Sequence, residues 1–273
     1  MAGRYRHRVP DLRVEVDDGV AVVTLDRPQA RNALDPSLRD GLIVAVRECR
    51  DDDKVRAAMI TGAGGAFCAG ADLAGSSLGK VSDPDFDPRS MSEALHTGMN
   101  TLITELWHLD KPTVACVDGA AVGPGAHLAL ACDFVMVSPT TKFLWSFAKI
   151  GLVVDGGGAY LLPRLVGLPR AKAMVLLGEG SVGEQAVTDG LAYRCVPQES
   201  LYDESLALAR RLAAGPTRAL GMSKRLLNES FESPLALSLR LEAMSQALAS
   251  VTDDVKEGLN AVREKRDPEF RGK

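Results

Sequence analysis

Gly62-Ala63-Gly64-Gly65-Ala66-Phe67-Cys68-Ala69-Gly70-Ala71-Asp72-Leu73 follows an apolar run, Val55 to Thr61, with the length and composition of a buried strand. Residues this small let main-chain N–H groups approach a ligand closely, as an anion or oxyanion site requires. The competing reading is a tight turn between packed elements. A second strand, glycine turn and helix start occurs at Val117-Asp118-Gly119-Ala120-Ala121-Val122-Gly123-Pro124-Gly125-Ala126-His127. A helix amino terminus there offers free N–H donors and the positive end of a dipole. Two such turns point to a two-donor oxyanion hole far more specifically than either alone. The third stretch, Ile150-Gly151-Leu152-Val153-Val154-Asp155-Gly156-Gly157-Gly158, sets one carboxylate between an apolar run and three glycines. Partial desolvation would raise the pKa of Asp155 toward values useful for proton transfer. The alternative is that Asp155 caps a helix over Ala159 to Leu165.

Outward from these stretches the pattern is α/β. Leu12 to Leu25 alternates around Asp18-Gly19 and predicts a hairpin. Asp35-Pro36 opens an amphipathic helix through Cys49, with Leu38, Leu42, Ile43 and Val46 on one face. Ala74 to Arg89 is polar and reads as a loop. A helix over Ser90 to His108, a strand over Thr113 to Val117, a helix over Ala126 to Ala131 and a strand over Phe134 to Val137 continue the rhythm. After Pro197 the sequence is almost wholly helical, with breaks at Gly215-Pro216 and Ser233-Pro234. This predicts a core over 1–197 and a carboxy-terminal helical region over 198–273.

With 273 residues, 46% of them hydrophobic, the chain can bury a large core, and a net charge of -4 with dispersed Lys and Arg excludes a nucleic-acid footprint. Five unpaired cysteines within largely apolar runs read as reduced thiols, which places the protein in the cytoplasm. Met1 to Pro10 carries three arginines but no apolar stretch, so neither a signal nor a membrane span is expected. His7, His96, His108 and His127 lack a second ligand at metal-binding spacing, so no metal or other cofactor is expected. Gly75-Ser76-Ser77-Leu78-Gly79 matches a nucleophile elbow but lacks the flanking strand and helix.

Together, in this order and spacing, the three stretches resemble the enoyl-CoA hydratase/isomerase (crotonase) family over nearly the whole chain. Asp26 to Leu34 looks like that family's CoA-contacting segment, and Pro268 to Lys273 like its usual ending. The resemblance implies a spiral of strand-strand-helix (ββα) repeats and a carboxy-terminal helical region mediating a homotrimer or dimer of trimers. It also implies an acyl-CoA thioester as substrate. By analogy, Arg27, Ala30, Arg31 and Ala33 contact CoA, with Phe270 and Lys273 contributed by a neighbouring subunit. The resemblance also places Ala69, Gly70, Ala71, Asp72, Leu73, Gly123, Pro124 and Phe147 around the thioester and acyl group. The N–H of Ala71 is implied as one oxyanion-hole donor.

The sequence departs from the family where the second donor belongs, because Pro124 has no N–H. Either Gly123 or Gly125 supplies it, or one hydrogen bond remains, at a cost on the order of 3 kcal/mol. The hydratase branch uses two glutamates, and here those positions are His127 and Phe147. Asp155 matches the catalytic aspartate of an isomerase subset that includes enzymes of phenylacetyl-CoA degradation. The reading is therefore an acyl-CoA isomerase with Asp155 as acid-base, Ala71 and Gly125 as donors, and His127 as a neutral hydrogen-bonding or packed residue. Hydration of a 2-enoyl-CoA is the alternative, and non-catalytic acyl-CoA binding a further one.

Overall fold

A computed structural model describes residues 10–73 and 83–273. Strands β1 (Leu12–Asp17) and β2 (Val20–Leu25) form the expected hairpin, with Asp18 and Gly19 both at positive φ, as a tight two-residue turn requires. Helix α1 (Pro36–Asp51) begins as predicted: the Asp35 carboxylate accepts from the Leu38 N–H at 2.8 Å, and Pro36 occupies the first turn. Strand β3 (Ala57–Gly62) starts two residues later than expected, because Val55 N–H is turned back onto the Asp52 carbonyl.

The expected single helix over Ser90 to His108 is three pieces: α2 (Pro88–Ala94), a π-helical segment (Leu95–Asn100) and α3 (Thr101–Trp107). Then come β4 (Thr113–Val117), β5 (Ala120–Val122), α4 (Pro124–Leu130), β6 (Phe134–Val137) and β7 (Lys142–Leu144). Helices α5 (Gly158–Val166) and α6 (Leu168–Leu177), strand β8 (Ser181–Val182), helix α7 (Glu184–Thr188) and strand β9 (Arg194–Cys195) complete the alternating part. Helices α8 (Gln198–Ala213), α9 (Thr217–Asn228), α10 (Leu235–Ala249) and α11 (Asp253–Glu264) follow, broken at the two predicted proline sites.

The large sheet runs β1-β2-β3-β4-β6-β9 and is parallel after the first hairpin; the small sheet runs β5-β7-β8. From β4 to β7 the strands alternate between sheets: β4 in the large one, β5 in the small, then α4; β6 in the large, β7 in the small. This is the spiral of ββα repeats that the resemblance implied. Residues of the large sheet bury both faces with period two. Ala21, Val23, Ala58, Ile60, Ala115 and Val117 enter the main core, while Val20, Val22, Ala57, Met59, Val114 and Cys116 pack with Leu201, Ala209 and Ala213 of α8. The expected division at residue 197 falls inside this packing, since α8 covers the second face of the sheet. The switch to helical pattern marks a change of topology and not the edge of the core.

Candidate active site

The glycine-rich stretch is a strip of extended chain held from both sides. Cys68 pairs with Ala121 of β5: its N–H donates to the Ala120 carbonyl, and its carbonyl accepts from Val122, both at 3.0 Å. Three residues on, the strip bridges Leu34, whose N–H donates to the Gly70 carbonyl at 2.7 Å and whose carbonyl accepts from Asp72 at 3.0 Å. In a parallel bridge of this kind Leu34 uses both of its groups, and the N–H of Ala71 points away from it. Gly70 makes the turn possible: its φ is +93°, and a Cβ there would lie 2.7 Å from the Val122 carbonyl oxygen. The strip brings residues 69–73 alongside 30–34 on one edge and Val122 to Pro124 on the other, joining predicted site segments far apart in sequence.

Two side chains lock this arrangement. Asn32, fully buried with φ +56°, accepts from the Arg27 N–H at 2.8 Å and donates to the carbonyls of Ala63 at 2.9 Å and Ala66 at 2.7 Å. Sequence reading did not single it out; an asparagine ending a short turn before a helix cap was its only signal. Asn32→Ala leaves both carbonyls without this donor and is expected to destabilise the fold by about 2–3 kcal/mol, seen as a lower urea midpoint.

Arg27, which the resemblance places against CoA, is engaged within its own chain. Its Nη1 donates to Asp72 Oδ2 at 2.8 Å and to the Ala33 carbonyl at 3.1 Å, while Nε and Nη2 lie 3.6 and 3.7 Å from Asp11 and Asp35. The hydrogen bond to Asp72 raises its pKa. Carboxylates of its own chain engage this guanidinium, so it ties the hairpin, the α1 cap and the strip together. Arg31 is exposed and has no ion pair among the described residues.

At the second turn, Gly123 has φ +47° and gives its N–H to the Leu144 carbonyl at 2.8 Å. That donor is committed. Pro124 is the first residue of α4, and Gly125, next in line, lies in the first turn, where no carbonyl one turn back can reach its N–H. Gly125 packs directly on Cys68, since a Cβ there would lie 2.5 Å from the Cys68 carbonyl oxygen.

Ala71, Pro124 and Asp155 meet at one cavity of about 290 Å3, walled by Leu34, Leu95, Met99, Leu152 and Val153. Asp155 does not cap α5: the cap residue is Gly157, without a side-chain hydrogen bond. Its Oδ1 is buried and unpartnered, and burial raises the carboxyl's pKa against the opposing effect of its own backbone N–H. Among the described lining residues the ionisable side chains are Asp155 and Arg39.

His127 is wholly buried behind this wall and does not line the cavity. Its Nε2 accepts from Trp145 Nε1 at 3.0 Å, so the neutral ring carries its proton on Nδ1. Burial lowers its pKa to about 4. Phe147 lies parallel to it with ring centres 6.0 Å apart, and the Phe147 ring edge would sit 3.2 Å from a Cβ at Gly123. The glycines Gly156 and Gly158 make room for the His127 ring, a close fit unreadable from sequence.

Phe270 and Lys273 do not line this cavity. Within one chain the tail is bound elsewhere: Arg56 Nη1 donates to the Phe270 carbonyl at 2.9 Å, and the Lys273 carbonyl accepts from Asp253 at 2.9 Å. The nucleophile-elbow match around Ser77 and the arginines before Pro10 lie outside the described residues. Among the described residues no three His, Cys, Asp or Glu side chains gather as a metal site, and no helix is long and apolar enough to cross a membrane.

The strip, the turn and the alternating sheets define an enzyme class, and a family model described as enoyl-CoA hydratase/isomerase matches residues 15–273. The chain belongs to this family and is an enzyme. It is 37% identical to the 1,2-epoxyphenylacetyl-CoA isomerase of Escherichia coli K12, over 94% of this chain and 97% of that one. It is 36% identical to a Rhodobacter capsulatus protein named "probable enoyl-CoA hydratase", over 96% and 98%. A crystal structure from Streptomyces coelicolor A3(2), provisionally assigned as an enoyl-CoA hydratase, superposes with a TM-score of 0.92 at 34% identity, covering 99% and 98%.

Proposed function

We propose that the chain is an acyl-CoA isomerase in which Asp155 moves a proton on a thioester enolate. The supporting observation is the one carboxylate among the described lining residues, buried and unpartnered at Oδ1, in the cavity that Ala71 lines. Asp155 takes the proton from the carbon beside the thioester carbonyl, and the C–H electron pair moves toward the carbonyl oxygen. The N–H groups of Ala71 and Gly125 hold the resulting oxyanion. The double bond then shifts as Asp155 returns the proton two carbons along, so one group serves as base and acid.

Hydration is the second reading, and the names of the relatives support it better: two of the three above are provisionally named enoyl-CoA hydratases. The side chains argue the other way. At the positions where the resemblance places the two water-holding glutamates stand a neutral buried His127 and the apolar ring of Phe147. Under either reading CoA lies along residues 30–33 and 69–73, Arg31 is the exposed cation nearest that groove in sequence, and Phe270 and Lys273 act from a neighbouring subunit. We further propose a trimer or dimer of trimers built through α9 to α11, where Leu235, Leu248 and Val262 are exposed, and a cytoplasmic location.

The deciding experiment is turnover of a 3-enoyl-CoA and a 2-enoyl-CoA in heavy water. Isomerisation of the 3-enoyl-CoA predicts migration of the double bond, with solvent deuterium at the carbon two along that Asp155 reprotonates. Accumulation of 3-hydroxyacyl-CoA from the 2-enoyl substrate, without migration, establishes hydration instead.

A further inference from the structure

Apart from Asp155, the described residues that line the cavity are hydrocarbon except at one point. Leu34, Pro36, Met91, Ala94, Leu95 and Met99 are apolar, and the remaining ionisable lining residue is Arg39 of α1. An unpaired hydrocarbon pocket does not need a guanidinium, and such a group on its wall loses hydration for no return unless a ligand replaces the water.

The surrounding backbone is shaped around this cation. Gly98, buried in the π-helical segment, lies flat against the guanidinium of Arg39, and a Cβ there would collide with its Cζ, Nη1 and Nε. The next residue, Met99, packs on Gly156 beside Asp155, with 3.0 Å between Met99 Cγ and a Cβ built there. One π-helical turn thus touches both the guanidinium, through Gly98, and the glycine next to Asp155, through Met99. The extra residue in such a turn is a feature found often at functional sites. Asp40 holds Nε and Nη2 of Arg39 at 2.8 Å from the solvent side, and Nη1 has no hydrogen-bond partner among the described residues. Asp40 is more than half exposed, so this pair is weak and steers the side chain more than it neutralises it.

We infer that Arg39, seated on Gly98, is a specificity-determining residue that recognises an oxygen acceptor at the end of the acyl group remote from the thioester. The inference deepens the acyl-CoA reading above and rests on it. The preferred substrates are acyl-CoAs whose acyl part is apolar in the middle and carries a carboxylate or other oxygen function at its far end. A plain fatty acyl chain would bury the guanidinium against a methyl group.

The test is calorimetric binding of two saturated probes, hexanoyl-CoA and the mono-thioester adipoyl-CoA, to wild type, Arg39→Met and Gly98→Ala. The expected result is about 10–100-fold tighter binding of adipoyl-CoA by wild type, with that preference lost in Arg39→Met while hexanoyl-CoA affinity changes far less. Gly98→Ala keeps Arg39 in the chain but pushes its flexible end out of place, and is expected to lose the preference too. Equal binding of the two probes by wild type overturns the inference, as does an equal loss for both probes in the variants. Neither probe can isomerise, so the result stands apart from the role of Asp155. Strong adipoyl preference with no turnover in heavy water would retain Arg39 as a selector and reject the isomerase chemistry.

Discussion

Asp155→Asn is expected to lower kcat for double-bond migration by about 10²–10⁴-fold with little change in KM, because the amide keeps the shape of the carboxylate but cannot carry the proton. Deuterium incorporation at the reprotonated carbon should fall with it. In wild type the base form is needed, and burial raises the pKa of Asp155, so the acid limb of the kcat profile should inflect above the ordinary aspartate value of about 3.9. The same shift sets a stability effect of definite sign. The folded state binds this proton more tightly than the unfolded chain, so unfolding free energy falls as pH rises from the unfolded value through the folded one, and the penalty persists above it. Asp155→Asn should therefore melt higher than wild type at pH 7, with the difference shrinking as the pH drops toward the unfolded value. A variant with full activity, or one that melts lower at pH 7, contradicts this account of the carboxylate.

Gly70→Ala is expected to be nearly as severe through a different route. The residue sits at φ +93°, where an L side chain is strained, and the new Cβ would press on the Val122 carbonyl oxygen, which belongs to a sheet strand and cannot swing aside. The strip must move, and the N–H of Ala71 moves with it. Loss of one such donor corresponds to about 10²–10³ in kcat, and we expect at least this loss together with a lowered urea midpoint. Ala71→Gly, which keeps the N–H and relaxes nothing nearby, is the control and should retain most activity. If Gly70→Ala turns over normally, the strip does not supply the oxyanion donor.

Much of this was readable because it is local. Asp18-Gly19, Asp35-Pro36 and the breaks before Thr217 and Leu235 declare turns and caps within a few residues, and the structure has each of them. The position of Asp155 between apolar residues and glycines likewise announced a desolvated acid. What escaped depends on partners far along the chain. The partner of Arg27 was not readable because Asp72, 45 positions away, is invisible to any window around it. Asn32 and Arg39 were passed over for the same reason, their contacts being Ala66 and Gly98. The π-helical turn was hidden because one extra residue per turn barely alters an apolar pattern over six residues. At 198 the sequence changes character, yet α8 still serves the sheet, because a helix can be first in one pattern and last in the packing of another.

The grip on the thioester oxygen is proposed to be made by main chain, set by the glycine conformations at positions 70 and 123 and a parallel bridge at position 34. Such a grip is indifferent to side-chain identity. The side chains at positions 127, 147 and 155 do not themselves form that seat, so the chemistry beside the carbonyl can be varied separately from the groups that hold it, provided the close fit of His127 and Phe147 against Gly158 and Gly123 is kept. A combinatorial library confined to those three positions is the shortest route to altered chemistry on this backbone.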